Sequence, residues 1–64
     1  MYSKYEIESA EKRVISILEC LATTKMNFVK TIVDSDISLK YVKKALNEAG
    51  YKFEIQGYYL TIEV

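Results

Sequence analysis

The sequence predicts an α+β fold in one domain, residues 1–64, with three helices followed by a C-terminal β-hairpin. Apolar residues recur at three- and four-residue steps up to Gly50, which is the period of amphipathic helices. Beyond Gly50 apolar and polar residues alternate, which is the period of a half-buried strand. The only other glycine, Gly57, interrupts this alternation and indicates a turn.

The first helix is predicted from about Lys4 to Leu21. Ser3 and Glu6 have the spacing of a capping box, in which each side chain satisfies a free backbone N–H at the helix start. Ile15 lies outside the apolar stripe, so we expect it to be exposed or to make a contact. The stripe itself is about 100° wide and consists of Ile7, Ala10, Val14, Ile17, Leu18 and Leu21.

Two further helices are predicted in the middle of the chain. The second covers Lys25–Val33, with Thr24 as its N-cap and the turn-forming residues 34–36 after it. The third covers Leu39–Ala49, with Ser38 as its N-cap and Gly50 as the left-handed residue that ends it. The buried face of the third helix consists of Leu39, Val42, Ala45, Leu46 and Ala49.

The hairpin is predicted from residues 51–55 and 58–64, joined by a short turn at Gln56 and Gly57. On its second strand, Tyr58 shares one face with Leu60 and Ile62, and Tyr59 lies on the other face. A lone hairpin is marginally stable in water, so we expect it to pack on the helices.

The composition excludes several classes of function. Nine basic and nine acidic residues cancel, so a uniformly basic coat for nucleic acid is excluded. With no His and one cysteine, Cys20, the chain has no zinc-ligand set or internal disulfide, and we expect no metal and no cofactor. No acid–base or nucleophilic constellation is present, so neither an enzyme nor a small-molecule substrate is expected. Because no apolar run approaches the ~20 residues of a membrane span and the start is polar, we expect a cytoplasmic protein.

Residues 36–51 resemble the turn and recognition helix of the winged helix-turn-helix family. The matching positions are the buried Ile37, the cap Ser38, the inward pair Val42 and Leu46, and Gly50 before the first wing strand. The resemblance covers about residues 7–64, since residues 57–61 also look like the second wing strand. It implies a DNA-binding protein whose third helix reads the major groove.

The chain departs from the family at two places. Asp36 stands where the family often has Gly, and Asp tolerates the left-handed conformation. The wing tip, Gln56 and Gly57, lacks the Arg or Lys that the family often carries, and Glu54 flanks it. The wing is therefore too short and too acidic to read DNA convincingly.

The predicted third helix carries the clearest functional feature. Lys40, Lys43, Lys44 and Asn47 share one arc, opposite the buried face. Lysines suit phosphates, and Asn can bind an adenine edge bidentately. Residues 25–52 carry a net charge of +3, whereas residues 1–24 carry −1 and residues 53–64 carry −2. The arc is either a DNA-facing surface or the solvated face that any surface helix has.

The DNA-binding hypothesis assigns further contacts. The resemblance places Ser38 near the start of the recognition helix, and Lys25 and Lys30 on a second helix that crosses the DNA backbone. The protein would be a small transcriptional regulator or accessory factor that binds double-stranded DNA. Its small size and its Lys-rich, Pro-free composition suit a phage, plasmid or other mobile element.

The alternative hypothesis is a protein-interaction module that docks on a host protein through the hairpin. Six tyrosines are many for this length, and tyrosine is enriched at protein interfaces. Tyr59 and Glu54 would contact the partner. A homodimer through Ile15 on the first helix, or through the final strand, is a third expectation.

Overall fold

The computed structural model, which describes residues 2–64, contains two helices and one three-stranded antiparallel sheet. In chain order the elements are α1 (Lys4–Thr23), β1 (Phe28–Ile32), α2 (Asp36–Ala49), β2 (Lys52–Gln56) and β3 (Tyr59–Glu63). The fold is α+β, but the expected arrangement of three helices with a helix-turn-helix and a separate hairpin is wrong.

Strand β1 takes the place of the expected helix Lys25–Val33. Its side chains are mostly aromatic or β-branched, which lose rotamer freedom in a helix but fit a pleated sheet. Val29 and Thr31 face the core side, and the residues between them are exposed. Thr24 is therefore not an N-cap; it is the C-cap of α1, and its N–H donates to the Cys20 carbonyl at 2.9 Å. Its hydroxyl accepts a hydrogen bond of 3.1 Å from the Met26 N–H in the turn before β1.

Strand β3 lies in the middle of the sheet, in the order β1–β3–β2. Thr61 is its central residue and stands opposite Lys30 on β1 and Glu54 on β2. Since both sides of β3 are paired, the final strand has no free edge. A dimer formed by pairing at the edge of the final strand is therefore excluded, and the free edges belong to β1 and β2.

The core lies between the helices and the inner face of the sheet. Ile17 and Leu21 of α1 meet the buried face of α2, and both helices cover the inward side chains of β3. Val33, just after β1, is buried with them. The other members of this cluster are Val42, Leu46, Leu60 and Ile62. Two layers thus enclose one small core, and the opposite face of the sheet is left to solvent.

Both helices have the caps that their sequences require, although one cap differs from the expectation. Ser3 and Glu6 form the capping box at the start of α1, as expected. Helix α2 begins three residues earlier than predicted, and its N-cap is Ser35 instead of Ser38. The Ser35 hydroxyl accepts the Ser38 N–H at 3.3 Å and donates to the Ser38 hydroxyl at 3.1 Å.

The two glycines carry the positive φ angles of the described chain. Gly50 has φ of +83° and ends α2 in the left-handed conformation, as predicted. Gly57 has φ of +64° and occupies the first position of a two-residue loop with Tyr58. This is the pattern of a type II′ turn, so the hairpin loop lies one residue later than the expected Gln56 and Gly57.

The position of the cap gives a stability prediction. Ser35→Ala removes the N-cap oxygen and also leaves the buried Ser38 hydroxyl without its donor. We therefore expect the free energy of unfolding to fall by about 1–2 kcal/mol. Ser38→Ala is the matched control and should cost clearly less, because the cap remains. Urea denaturation of both variants measures the difference. A larger loss for Ser38→Ala would contradict this cap assignment.

Candidate nucleic-acid interface

The outward face of α2 holds four of the residues predicted to contact DNA. Lys40, Lys43, Lys44 and Asn47 are all exposed. At 100° per residue they fall within an arc of roughly 100°. Val42 and Leu46 lie on the opposite, buried side of the helix. Three ammonium groups and one amide therefore project from a single face of one helix.

Helix α2 holds this face rigidly. Its buried side is part of the core, Ser35 caps its start, and Gly50 ends it with N–H bonds to the carbonyls of Leu46 and Asn47. A capped helix that is packed along one side fixes the backbone positions from which its exposed side chains project. The flexible lysine stems can then move their ammonium groups to meet a ligand.

Ser38 does not belong to this exposed face. Ser38 is only 2% exposed, and its hydroxyl accepts a hydrogen bond from the Ser35 hydroxyl. The predicted contact of Ser38 with DNA is therefore replaced by a structural role at the start of α2. The shift arises because α2 begins at Asp36, so Ser38 lies within the first turn instead of before it.

The structure also separates Lys25 and Lys30 from the α2 lysines. Lys25 lies in the connection between α1 and β1, and Lys30 lies on β1. Since Lys30 points to the outer face of the sheet and the helices cover the inner face, Lys30 and α2 lie on opposite sides of the sheet. Neither lysine is on a helix that could cross a DNA backbone beside α2.

An open groove of about 510 Å³ runs along one side of the α2 lysines, where α1 and α2 meet. Lys40 and Lys44 border it, so a ligand on this face would meet the groove as well as the ammonium groups. The groove mixes cationic, anionic and apolar side chains, from Val14, Lys40, Tyr41, Lys44, Ala45 and Glu48. Nothing in this set has the composition of a metal site or a nucleophile–base pair.

The outer face of the sheet brings together exposed residues that are far apart in the sequence. Tyr59 is 65% exposed, as its predicted strand face implied, and Phe28 and Ile32 on β1 are 55% and 50% exposed. Ile32 stands directly opposite Tyr59. Glu54 lies on the same face, on β2. Phe28, Lys30 and Ile32 are spaced two residues apart, which places them on one face only because the segment is a strand.

Tyr58 ties the hairpin loop to the start of α2. Its hydroxyl donates a hydrogen bond of 2.7 Å to an Asp36 carboxylate oxygen, and its carbonyl accepts the Val33 N–H at 3.0 Å. The hydrogen bond to Asp36, followed by the negative charge of that carboxylate, raises the pKa of Tyr58 above the ordinary value of 10.0. Tyr58 lies in the hairpin loop just before β3 and is 43% exposed, so it does not share the burial of Leu60 and Ile62.

The remaining candidate residues are more isolated. Ile15 on α1 is 56% exposed, which agrees with its place off the apolar stripe. Cys20 is exposed and is not in a disulfide. Within residues 2–64, no group of His, Cys, Asp and Glu side chains is placed to hold a metal ion. In the same part of the chain, no helix has both the length and the apolar character needed to cross a membrane.

Comparison with known proteins gives no match: no family model covers this chain, and neither a curated protein nor a solved structure is significantly similar to it. A function must therefore be argued from the surfaces themselves.

The bond between Tyr58 and Asp36 gives a pH prediction. Because the pKa of Tyr58 is raised in the folded state, its contribution to stability is complete below about pH 10 and is lost as pH rises through the folded pKa. Tyr58→Phe should melt below the wild type at pH 8, and the difference in Tm should shrink above pH 10. Tyr59→Phe is the control. A difference in Tm between wild type and Tyr58→Phe that does not change with pH would contradict the linkage.

Proposed function

We propose that this protein binds double-stranded DNA through the exposed face of α2 and serves as a small transcriptional regulator or accessory factor. One observation carries the proposal: Lys40, Lys43 and Lys44 are exposed together on one arc of a rigid, capped helix. Asn47 on the same arc is the one residue there that can hydrogen-bond to a base edge as both donor and acceptor.

The charge distribution favours a phosphate ligand on this side of the molecule. The whole chain is neutral, but within α2 the three residues Lys40, Lys43 and Lys44 outnumber the acids Asp36 and Glu48, so the helix carries a net charge of +1. Lysines near a polyanion release its condensed counterions on binding, so the affinity falls with salt. With three lysines, the slope of log K against log salt concentration should be about −3.

The fold also sets the mode of binding. Because β1 replaces the expected second helix, residues 2–64 lack the helix that crosses the DNA backbone in a helix-turn-helix. Affinity then rests on α2 alone, and phosphate contacts outweigh base contacts. We therefore expect weak, salt-dependent binding, with at most a modest preference for adenine steps through Asn47.

Fluorescence anisotropy on a labelled duplex tests this proposal. Lys43→Glu with Lys44→Glu should reduce affinity at least ~30-fold at low salt, because two attractive contacts become repulsive. Lys25→Glu with Lys30→Glu makes the same change in net charge away from α2 and should reduce affinity by less than ~5-fold. Equal losses in the two variants, or no binding by the wild type at low salt, would refute the proposal.

The exposed sheet face favours a second candidate, a module that docks on a host protein through the hairpin. Tyr59 and Glu54 share this face with Phe28 and Ile32, and aromatic anchors of this kind are typical of protein interfaces. If the second candidate is correct, Tyr59→Ser abolishes a partner complex that survives the α2 double substitution. The DNA proposal expects Tyr59→Ser to leave duplex affinity unchanged.

A further inference from the structure

The charges along the free edge of β2 are complementary to those of a second, antiparallel copy of the same strand. Lys52 and Glu54 lie two residues apart on β2, and both side chains are exposed on the outer face of the sheet. On the inner face of the same segment, Tyr51, Phe53 and Ile55 are only half-buried at the margin of the core. A strand that combines these features offers an antiparallel partner both opposite charges and apolar area.

The hydrogen bonds within the sheet show which backbone groups of β2 are free. Val64 donates its N–H to the Asn27 carbonyl, and the Tyr58 carbonyl accepts from Val33, so the even-numbered residues of β3 face β1. Alternate residues of an antiparallel strand face opposite neighbours, so the odd-numbered residues of β3 face β2. Since Glu54 pairs with Thr61, the N–H and C=O groups of Phe53 and Ile55 face the free edge.

We propose that β2 pairs with β2 of a second copy of this chain, antiparallel and centred on Phe53, to form a continuous six-stranded sheet. In this register the two Phe53 residues exchange backbone hydrogen bonds across the twofold axis. Lys52 of each copy stands opposite Glu54 of the other, so the opposite-charge pair forms twice. The half-buried rings of Phe53 and Tyr51 gain apolar neighbours on the inner face.

Charge selects this register over the neighbouring ones. Pairing centred on Glu54 would place two carboxylates directly opposite each other, and pairing centred on Ile55 would leave Lys52 beyond the paired segment. The other free edge, on β1, lacks such a pattern. Its free backbone groups belong to Phe28, Lys30 and Ile32, and the longest self-pairing places Lys30 opposite Lys30.

Sedimentation velocity across a dilution series from ~5 µM to ~1 mM tests the proposal, since an interface of one short strand is small and weak. Lys52→Glu and Glu54→Lys should each raise the dimer Kd at least ~10-fold, because two opposite-charge pairs become like-charge pairs. The double variant reverses both charges and should restore the wild-type Kd within ~3-fold. Circular dichroism verifies that each variant is folded.

Amide hydrogen exchange supplies a readout that needs no substitution. The N–H groups of Phe53 and Ile55 should become protected as concentration rises, and that of Lys30 on the other edge should not. A monomer at ~1 mM, or a double variant that stays as weak as the single ones, would overturn the proposal. The proposal would also be overturned if Ile15→Lys dissociated the dimer while Lys52→Glu left it intact. That result would place the interface on α1.

Discussion

The pairing of β1 with β3 is the interaction on which the rest of this structure depends. It places β3 in the centre of the sheet, so that Leu60 and Ile62 lie beneath both helices and are completely buried. It also gives the sheet an outer face that no helix covers. The same pairing leaves β1 and β2 as the edges, and so decides which strand can meet a second molecule.

The elements predicted correctly are those set by local signals. Ser3 and Glu6 specify the start of α1 within one turn, and Gly50 specifies the end of α2 through its own backbone freedom. Strand β1 was predicted as a helix because its apolar residues fit both a short helix and a strand. The partner that decides between them, β3, lies about thirty residues further along the chain.

The helical period was sufficient to predict the lysine face of α2, because the caps and the buried side of that helix are themselves local features. The placement of the other candidates needed the tertiary structure. Ser38 was expected to contact DNA because the family resemblance placed it at the start of the recognition helix, whereas Ser35 is the N-cap of α2 and Ser38 is buried in the first turn. Lys30 faces away from α2 only because its segment is a strand of the sheet.

Nuclear Overhauser contacts between the α-hydrogens of β1 and β3 test the central pairing most directly. Lys30 and Thr61 stand opposite each other at a position without mutual backbone hydrogen bonds, where α-hydrogens of antiparallel strands come closest. The structure predicts a strong contact between these two hydrogens. Its absence, together with contacts between residues three apart within 25–33, would show a helix in that segment and contradict the fold described here.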